Sequence, residues 1–412
     1  MNQLNRKNRI VLFIAILFIP LVNLFADFGL VLSEGFIAEH NDKTVFASKT
    51  TVSPWLSIPL GGTDFYMSMG MSADYEDKFT FFPELHKLEF SYRFPVNSPA
   101  VTAAGTNFRF GFRLGRILWQ DPALLAASGF FDGLDVFAEL GSVRLGAAAF
   151  YTGFLYRNTA NINISPGDLT NYNVAFDWND FEKTYFAPRR LLTSLYSDFP
   201  GFPFGRGGFH AGLLAQFDFS DAEEAYHTQY LLLRYIYLYK RFDLTAAGAV
   251  QLENTQESGQ RTAYAFSLEG AWQTWFLRDR LALGIRWASG DGPDTSAFFP
   301  VVREAEGIVL KTVLSGMMTI RAHYEARLMQ SLSAQLEGRY FIRTDSSSFA
   351  DPYIVNDSYL LGAELDAAMV WVPVSDLSFS LSGGVFIPKT GKAMASDAPL
   401  RWTLNLTTIF SF

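Results

Sequence analysis

The chain closes on LRWTLNLTTIFSF, where Leu400, Trp402, Leu404, Leu406, Thr408, Phe410 and Phe412 fall on one side of an extended strand. Arg401, Thr403, Asn405, Thr407 and Ser411 fall on the other, and Ile409 alone interrupts the polar side. The same period of two returns through most of the sequence after residue 27. In FDLTAAGAVQLE, Phe242, Leu244, Val250 and Leu252 oppose Asp243, Thr245, Gln251 and Glu253. In LSAQLEGRYFI, Leu332, Leu336, Tyr340 and Ile342 oppose Ser333, Gln335, Glu337 and Arg339. One face is apolar and the other charged, strand after strand.

Read this way, the pattern predicts strands near 28–40, 44–58, 63–75, 85–94, 106–119, 133–141, 143–156, 184–197, 208–220, 226–239, 241–254, 261–275, 280–290, 308–327, 331–344, 357–373, 377–388 and 400–411. That makes about 18, or 16 if 28–40 and 133–141 do not cross a membrane. Many are far longer than the roughly 5–6 residues usual in soluble sheets, and long enough to span a bilayer when tilted. The connections carry a second regularity. Counting back from Phe412, the segments 373–376, 329–331, 277–279 and 240–241 are short and alternate with long ones at 389–399, 345–356, 291–307 and 157–183. Outer-membrane barrels alternate in this manner, with short periplasmic turns and long outer loops. Two Pro/Gly-rich stretches, 95–105 and 198–207, are longer than the rule expects on the inner side.

Composition changes the picture by naming what the apolar face meets. Aromatic residues make up 16% of the 412 residues, charged ones only 18%, and there is no cysteine. No apolar run of about 20 residues follows residue 26, as a helical membrane protein would need. The start has a basic stretch with Arg6, Lys7 and Arg9, an apolar run broken at Pro20, and Ala26 before Asp27. This is the pattern of a signal peptide spanning 1–26, the alternative being an amino-terminal anchor. The fold class expected is therefore all-β: a monomeric transmembrane antiparallel β-barrel over 27–412, exported to the outer membrane of a didermic bacterium and facing its lipid. A large soluble β-sandwich or propeller is the alternative, with shorter strands or a repeated blade signature. Trp55, Trp119, Trp272, Trp371 and Trp402 lie near strand ends, as aromatic girdles do. A net charge of −8 argues against nucleic acid as a partner.

Two resemblances add to this. Phe412, Phe410, Leu406 and Leu404 resemble the carboxy-terminal signal by which barrel-assembly machinery recognises outer-membrane barrels. LGIRWASGDGPDTSAFFPVV at 283–302 and LGAELDAAMVWVPVSDLSFSLSGGVFIP at 361–388 resemble the carboxy-terminal part of the alginate-export outer-membrane protein family. That resemblance covers about a quarter of the chain and implies an 18-stranded porin-like barrel; it does not carry the polysaccharide substrate across.

With the apolar face outward, the period of two turns Lys87, Arg93, Arg109, Arg113, Arg144, Arg280, Arg286, Lys311, Arg321, Arg327, Arg339 and Arg401 into the lumen. Glu89, Glu139, Asp243, Glu269, Glu325, Glu337, Glu364 and Asp366 join them. Charge of this density needs water or ion-pair partners, so the lumen is either an aqueous channel or a plug laced with salt bridges. Arg109, Arg113, Arg280 and Arg286 are candidates for an arginine ladder attracting anions. Asp121, Pro122 and Gly129 suit the cap, first turn and end of a short helix, either folded inward as a constriction or lying on the surface. The acidic loop residues Asp168, Asp177, Asp180, Asp221, Glu182, Glu223 and Glu224 read as a solvated surface or as Ca²⁺ bridges to the envelope. His40, His86, His210, His227 and His323 show no metal-pair spacing, and no nucleophile motif is present, so neither cofactor, metal nor enzymatic role is expected. The leading function is a porin or export channel for small, hydrophilic, anionic solutes. The alternative is a surface-exposed adhesin or antigen displaying long acidic loops on a plugged barrel.

Overall fold

The computed structural model describes residues 26–412 apart from 61–62, 76–78, 96–107, 166–167, 169–175, 204, 220–224, 256–258, 275–277, 294, 347–348, 350 and 356–357. The expected signal peptide, the long connection at 95–105 and the acidic group Asp221, Glu223 and Glu224 lie wholly or almost wholly outside the described residues.

Eighteen strands follow in order: β1 Asp27–His40, β2 Thr44–Leu60, β3 Thr63–Tyr75, β4 Phe79–Pro95, β5 Phe108–Gln120, β6 Ser128–Leu140, β7 Val143–Tyr151, β8 Arg190–Pro200 and β9 Gly208–Asp218 complete the first half. The second half is β10 His227–Tyr239, β11 Phe242–Thr255, β12 Gly259–Gln273, β13 Arg280–Ala288, β14 Met317–Met329, β15 Leu332–Arg343, β16 Leu360–Val374, β17 Leu377–Ile387 and β18 Arg401–Ser411. Each pairs antiparallel with its neighbours in sequence, and β1 pairs with both β2 and β18, so the sheet closes on itself. At the closure Val31 faces Ser411 and His40 faces Trp402, and the Phe412 amide donates to Leu30 O at 2.9 Å. Both 28–40 and 133–141 belong to full members of the ring, which excludes the count of 16.

Each predicted strand has a counterpart, and the boundaries fail in places that share a cause. Residues 308–316, read as the start of β14, form a loop that turns into the barrel, as do 152–156 and 184–189 on either side of the β7–β8 connection. These stretches are apolar because they pack inside the barrel rather than because they span the membrane. The expected helix at 121–129 is absent: residues 121–127 make a tight loop.

The outward face is apolar, as the alternation requires, with Leu283 62%, Leu404 48% and Leu406 41% exposed in the isolated chain. Trp272 and Trp371 stand on this face, but Trp55 and Trp119 do not belong to a girdle. Trp119 is 4% exposed inside the barrel, and Trp55 stacks on lumen-facing Tyr66. The outward face carries an unexpected charge at mid-strand, Glu34, which accepts from the Thr50 hydroxyl beside it in the β1–β2 ladder.

The ring has a seam between β4 and β5. The β4–β5 ladder covers only Leu88–Pro95 against Arg109–Arg116, leaving the upper edge of β4 without a strand partner. Side chains take its place: Trp178 Nε1 donates to Phe81 O at 2.9 Å, Tyr185 Oη to Pro83 O at 2.7 Å and Arg116 Nη1 to Leu85 O at 2.5 Å. Arg116 has lipid-facing parity but swings into this gap, where it also forks onto Asp132 at 2.6 and 2.8 Å and donates to Phe154 O. Aromatic residues of the β7–β8 loop fill the space behind, with Phe181 stacked on Tyr185 at 4.4 Å. Replacing Arg116 with Ala takes their donor from Asp132 and from the Leu85 and Phe154 carbonyls, a loss of about 3–5 kcal/mol for a buried pair broken on one side. The expected result is a clear fall in the temperature at which the folded band is lost on an unboiled SDS gel.

Candidate functional site

The predicted charges on the strands do face the lumen, and most are paired there. Arg113 donates to Asp135 through Nε and Nη2 at 3.0 and 2.8 Å, with Arg144 3.7 Å from the same carboxylate. Arg280 bridges Asp243 at 3.3 Å and Glu269 at 2.8 Å, and Arg321 holds the other oxygen of Glu269. Arg339 sits among Glu337 at 3.0 Å, Glu364 at 3.5 Å and Asp366. Arg109 stands opposite Glu139 in the β5–β6 ladder, and Arg327 donates to Gln330 O near the periplasmic turn. The expected arginine ladder therefore divides. Arg109 and Arg113 lie on β5, Arg280 and Arg286 on β13, on opposite walls of the ring.

The outer half of the lumen is narrowed by loops that share a small core. Asp121, 1% exposed, is its staple: its carboxylate accepts from the amides of Ala123, Ala126 and Ala127 at 2.7–2.9 Å and bends 121–127 into the barrel. Burial pushes this carboxyl above its ordinary range, against the pull of those same amides. Ala126 O then accepts from Val301 and Val302, and Val301 O accepts from Asn163, so three loops meet on one short stretch. Pro122 reaches the inner wall of β9, where a Cβ on Gly212 would come within 2.8 Å of its ring. Tyr230 Oη donates to Phe299 O at 2.6 Å, and Phe298, Val301, Ile117, Phe131, Phe150, Leu192 and Leu232 are buried together. Asp168 is not a solvated surface acid: it is buried against Arg190, which also binds Asp218, and this anchors the β7–β8 loop inside.

A second staple holds the end of the β13–β14 loop to the inner face of β16, two strands along from β14. Glu364, 2% exposed, accepts from the amides of Ile308 and Leu310 at 2.7 Å and Val309 at 3.2 Å. Gly307 makes the approach achievable, since a Cβ there would stand 2.6 Å from a Glu364 oxygen.

Two chambers remain on either side of the constriction. The outer one, of about 710 Å³, is lined by Arg157, Arg303 and Lys311 with Asn158 and Asn161. The inner one, of about 460 Å³, is lined by Arg234, Arg280, Arg286 and Arg321 with Asp243 and Glu269. Ser128 and Glu304 line both, so they mark where the chambers meet. Arg286 is drawn toward the constriction by Glu306 at 2.7 Å. Arg157, Arg234, Arg303 and Glu304 did not emerge from the alternation. Three sit in loops, and Arg234 lies between Leu232 and Ile236 on an inner face made apolar by the packed loops.

Replacing Glu364 with Ala removes the acceptor for three amides, each worth about 1–3 kcal/mol when left unsatisfied in a buried site. The β13–β14 loop should loosen, giving faster amide hydrogen exchange over 307–312 while the barrel keeps its heat-modifiable mobility. Unchanged exchange would show that the loop is held elsewhere.

No protein-family model matches the sequence, and no curated protein matches it. Solved structures do match over nearly the whole chain; three from Pseudomonas aeruginosa show the extent of the likeness. The outer membrane protein opdK aligns with a TM-score of 0.60 at 12% identity, covering 94% of this chain and 98% of its own. OccK2 (OpdF) in complex with glucuronate gives 0.59 at 12% identity over 94% and 96%, and the outer membrane protein OprD gives 0.56 at 14% identity over 94% and 93%. At these identities the likeness is one of fold: a closed 18-stranded antiparallel barrel shared with the OprD and Occ outer-membrane proteins.

Proposed function

We propose that the protein is an outer-membrane channel that passes small hydrophilic anions, monomer by monomer, through a charged lumen. The observation that carries this is the pair of chambers joined at Ser128 and Glu304, each lined by three or more cationic side chains. A low-dielectric wall focuses such a field along the lumen and raises the local concentration of anions. The solved OccK2 structure with glucuronate is consistent with a small carboxylate as solute. The longest loop, on which a display role would depend, is turned inward at Tyr156, Ile162 and Asp168. The relation to the alginate-export proteins is confined to the two segments and the strand number, and no polysaccharide is inferred from it. Phe412, Phe410, Leu406 and Leu404, all on the outward face at the carboxy-terminal strand, are the residues we assign to recognition by the assembly machinery. The signal peptide over 1–26 completes the route to the outer membrane.

Reversal potentials in planar bilayers test the reading. Arg234→Gln together with Arg280→Gln should move the potential toward cation preference and leave the folded band unchanged on gels, since lumen substitutions tune selectivity without the roughly 2–4 kcal/mol cost of a charge on the lipid face. An unshifted potential would place these arginines outside the solute path, and a parent protein without conductance would overturn the channel.

A second measurement uses pH. Burial raises the Glu306 carboxyl above its ordinary range, and the opposing pull of Arg286 does not reverse it. On acidification Glu306 therefore gains its proton earlier than an ordinary carboxylate and leaves Arg286 with an uncompensated charge. Anion preference should grow as pH falls toward and through that raised range, and Glu306→Gln should show the acid-level preference at neutral pH with no further change.

A further inference from the structure

Beyond the two chambers, a third cavity opens at the outer mouth against β1 and β18, sharing Lys311 with the outer chamber, and its chemistry is different. It holds about 360 Å³ between the inner wall of β1 and β18, the 308–312 stretch that Glu364 pins down, and Phe349, Asp351, Pro352 and Tyr353 of the β15–β16 loop. Two cations border it, Lys311 and Arg401, and each is already committed. Lys311 Nζ lies 2.5 Å from Glu39, and Arg401 forks onto Asp351 at 2.7 and 3.0 Å. A third carboxylate, Asp42, accepts from the Tyr353 hydroxyl at 2.6 Å. Counted over these side chains the cavity carries three carboxylates against two cations, so it has no surplus of positive charge to hold an anion.

What it does have is unspent hydrogen-bonding capacity in buried positions. Thr403, 4% exposed, and Thr312, 7% exposed, both line the cavity, and neither hydroxyl has a partner. Arg401 Nε is buried and likewise unpartnered, because the fork to Asp351 uses only its terminal nitrogens. Buried polar groups in folded proteins are almost always satisfied, so unpaired ones around a cavity point to an occupant that supplies the missing partners. Phe349, Tyr353 and Leu310 give the same cavity an apolar border.

We propose that this cavity is a binding site for a neutral polyol of monosaccharide to disaccharide size. A hydroxyl both donates and accepts, so a polyol can donate to the lone pairs left on Glu39, Asp42 and Asp351 while accepting from Thr403, Thr312 and Arg401 Nε–H. Its C–H faces pack on the aromatic border, and its neutrality leaves the ion pairs intact. A carboxylate solute would meet the acidic excess instead. The site thus captures at the mouth a class of solute that the arginine-lined chambers do not favour.

Calorimetric titration of the detergent-folded full chain with sorbitol, sucrose and glucuronate tests the site. Sorbitol or sucrose should bind with a millimolar dissociation constant. Thr403→Val and Thr312→Val should each weaken that binding by about fivefold to tenfold, the loss expected for one hydrogen bond to a neutral group, while Thr403→Ser retains it. All three variants should keep heat-modifiable mobility, which separates loss of the site from loss of the fold. The proposal is overturned if neither polyol binds, if binding survives both valine substitutions, or if glucuronate binds more tightly than the polyols and loses affinity in the same variants. The anion channel is tested by reversal potentials, so polyol binding and anion selectivity can each fail without the other.

Discussion

The constraint on which everything else rests is that a peptide N–H or C=O facing hydrocarbon has no water to fall back on, and each unpaired group costs several kcal/mol. A ring of strands with no free edge answers it, and β1 lying between β2 and β18 is what makes the ring. The exception at the top of β4 obeys the same rule by other means. Trp178, Tyr185 and Arg116 donate to three alternate carbonyls that β5 does not reach, so those carbonyls are met by side chains instead of a ladder. Arg116 and Asp132 are charges of outward parity, and their mutual pairing inside the gap explains why they are tolerated.

Inside the wall the physics reverts to that of a soluble protein. The loops contribute Phe298 and Val301, the strands Ile117, Phe131, Phe150 and Leu232, and together they form a dry core within a structure otherwise lined by charge. Buried carboxylates shape the loops, Asp121 by folding its own loop into this core and Glu364, two strands along the wall from β14, by gripping the 308–310 stretch beside a second cluster around Leu310. Each gathers three amides, and hydrogen bonds to an ionised acceptor are stronger than those between neutral groups.

Most of the wall was legible because the period of two has a single physical source, a lipid face and a wet face, and it persists for as long as both solvents do. β18 and β11 show it almost without interruption. It becomes unreadable where the inner face stops being wet. On β10, Tyr230 and Leu232 point inward to meet the loops, so both faces are apolar and Arg234 carries no sign of lining the inner chamber. Residues 308–316 mimic a strand for the same reason. Asp121 before Pro122 suits a helix cap as well as it suits a loop staple, because in both cases a carboxylate accepts from amides a few residues on, and the local sequence is compatible with either backbone path. The chambers depend on which loops meet, a property of contacts more than a hundred residues apart, as between Asn163 and Pro300.

The closure between β1 and β18 also bears on how the molecule is made. The partners of residues 31–40 are residues 402–411, so the wall is incomplete until the last strand exists. Every shorter nascent chain has two open edges and an unsheltered apolar face, the combination most prone to pairing with other chains. Such a chain has to be kept apart from its neighbours through translocation and handed to the membrane whole. Loss of β18 would leave a sheet with no means of sealing itself, and not a barrel one strand narrower.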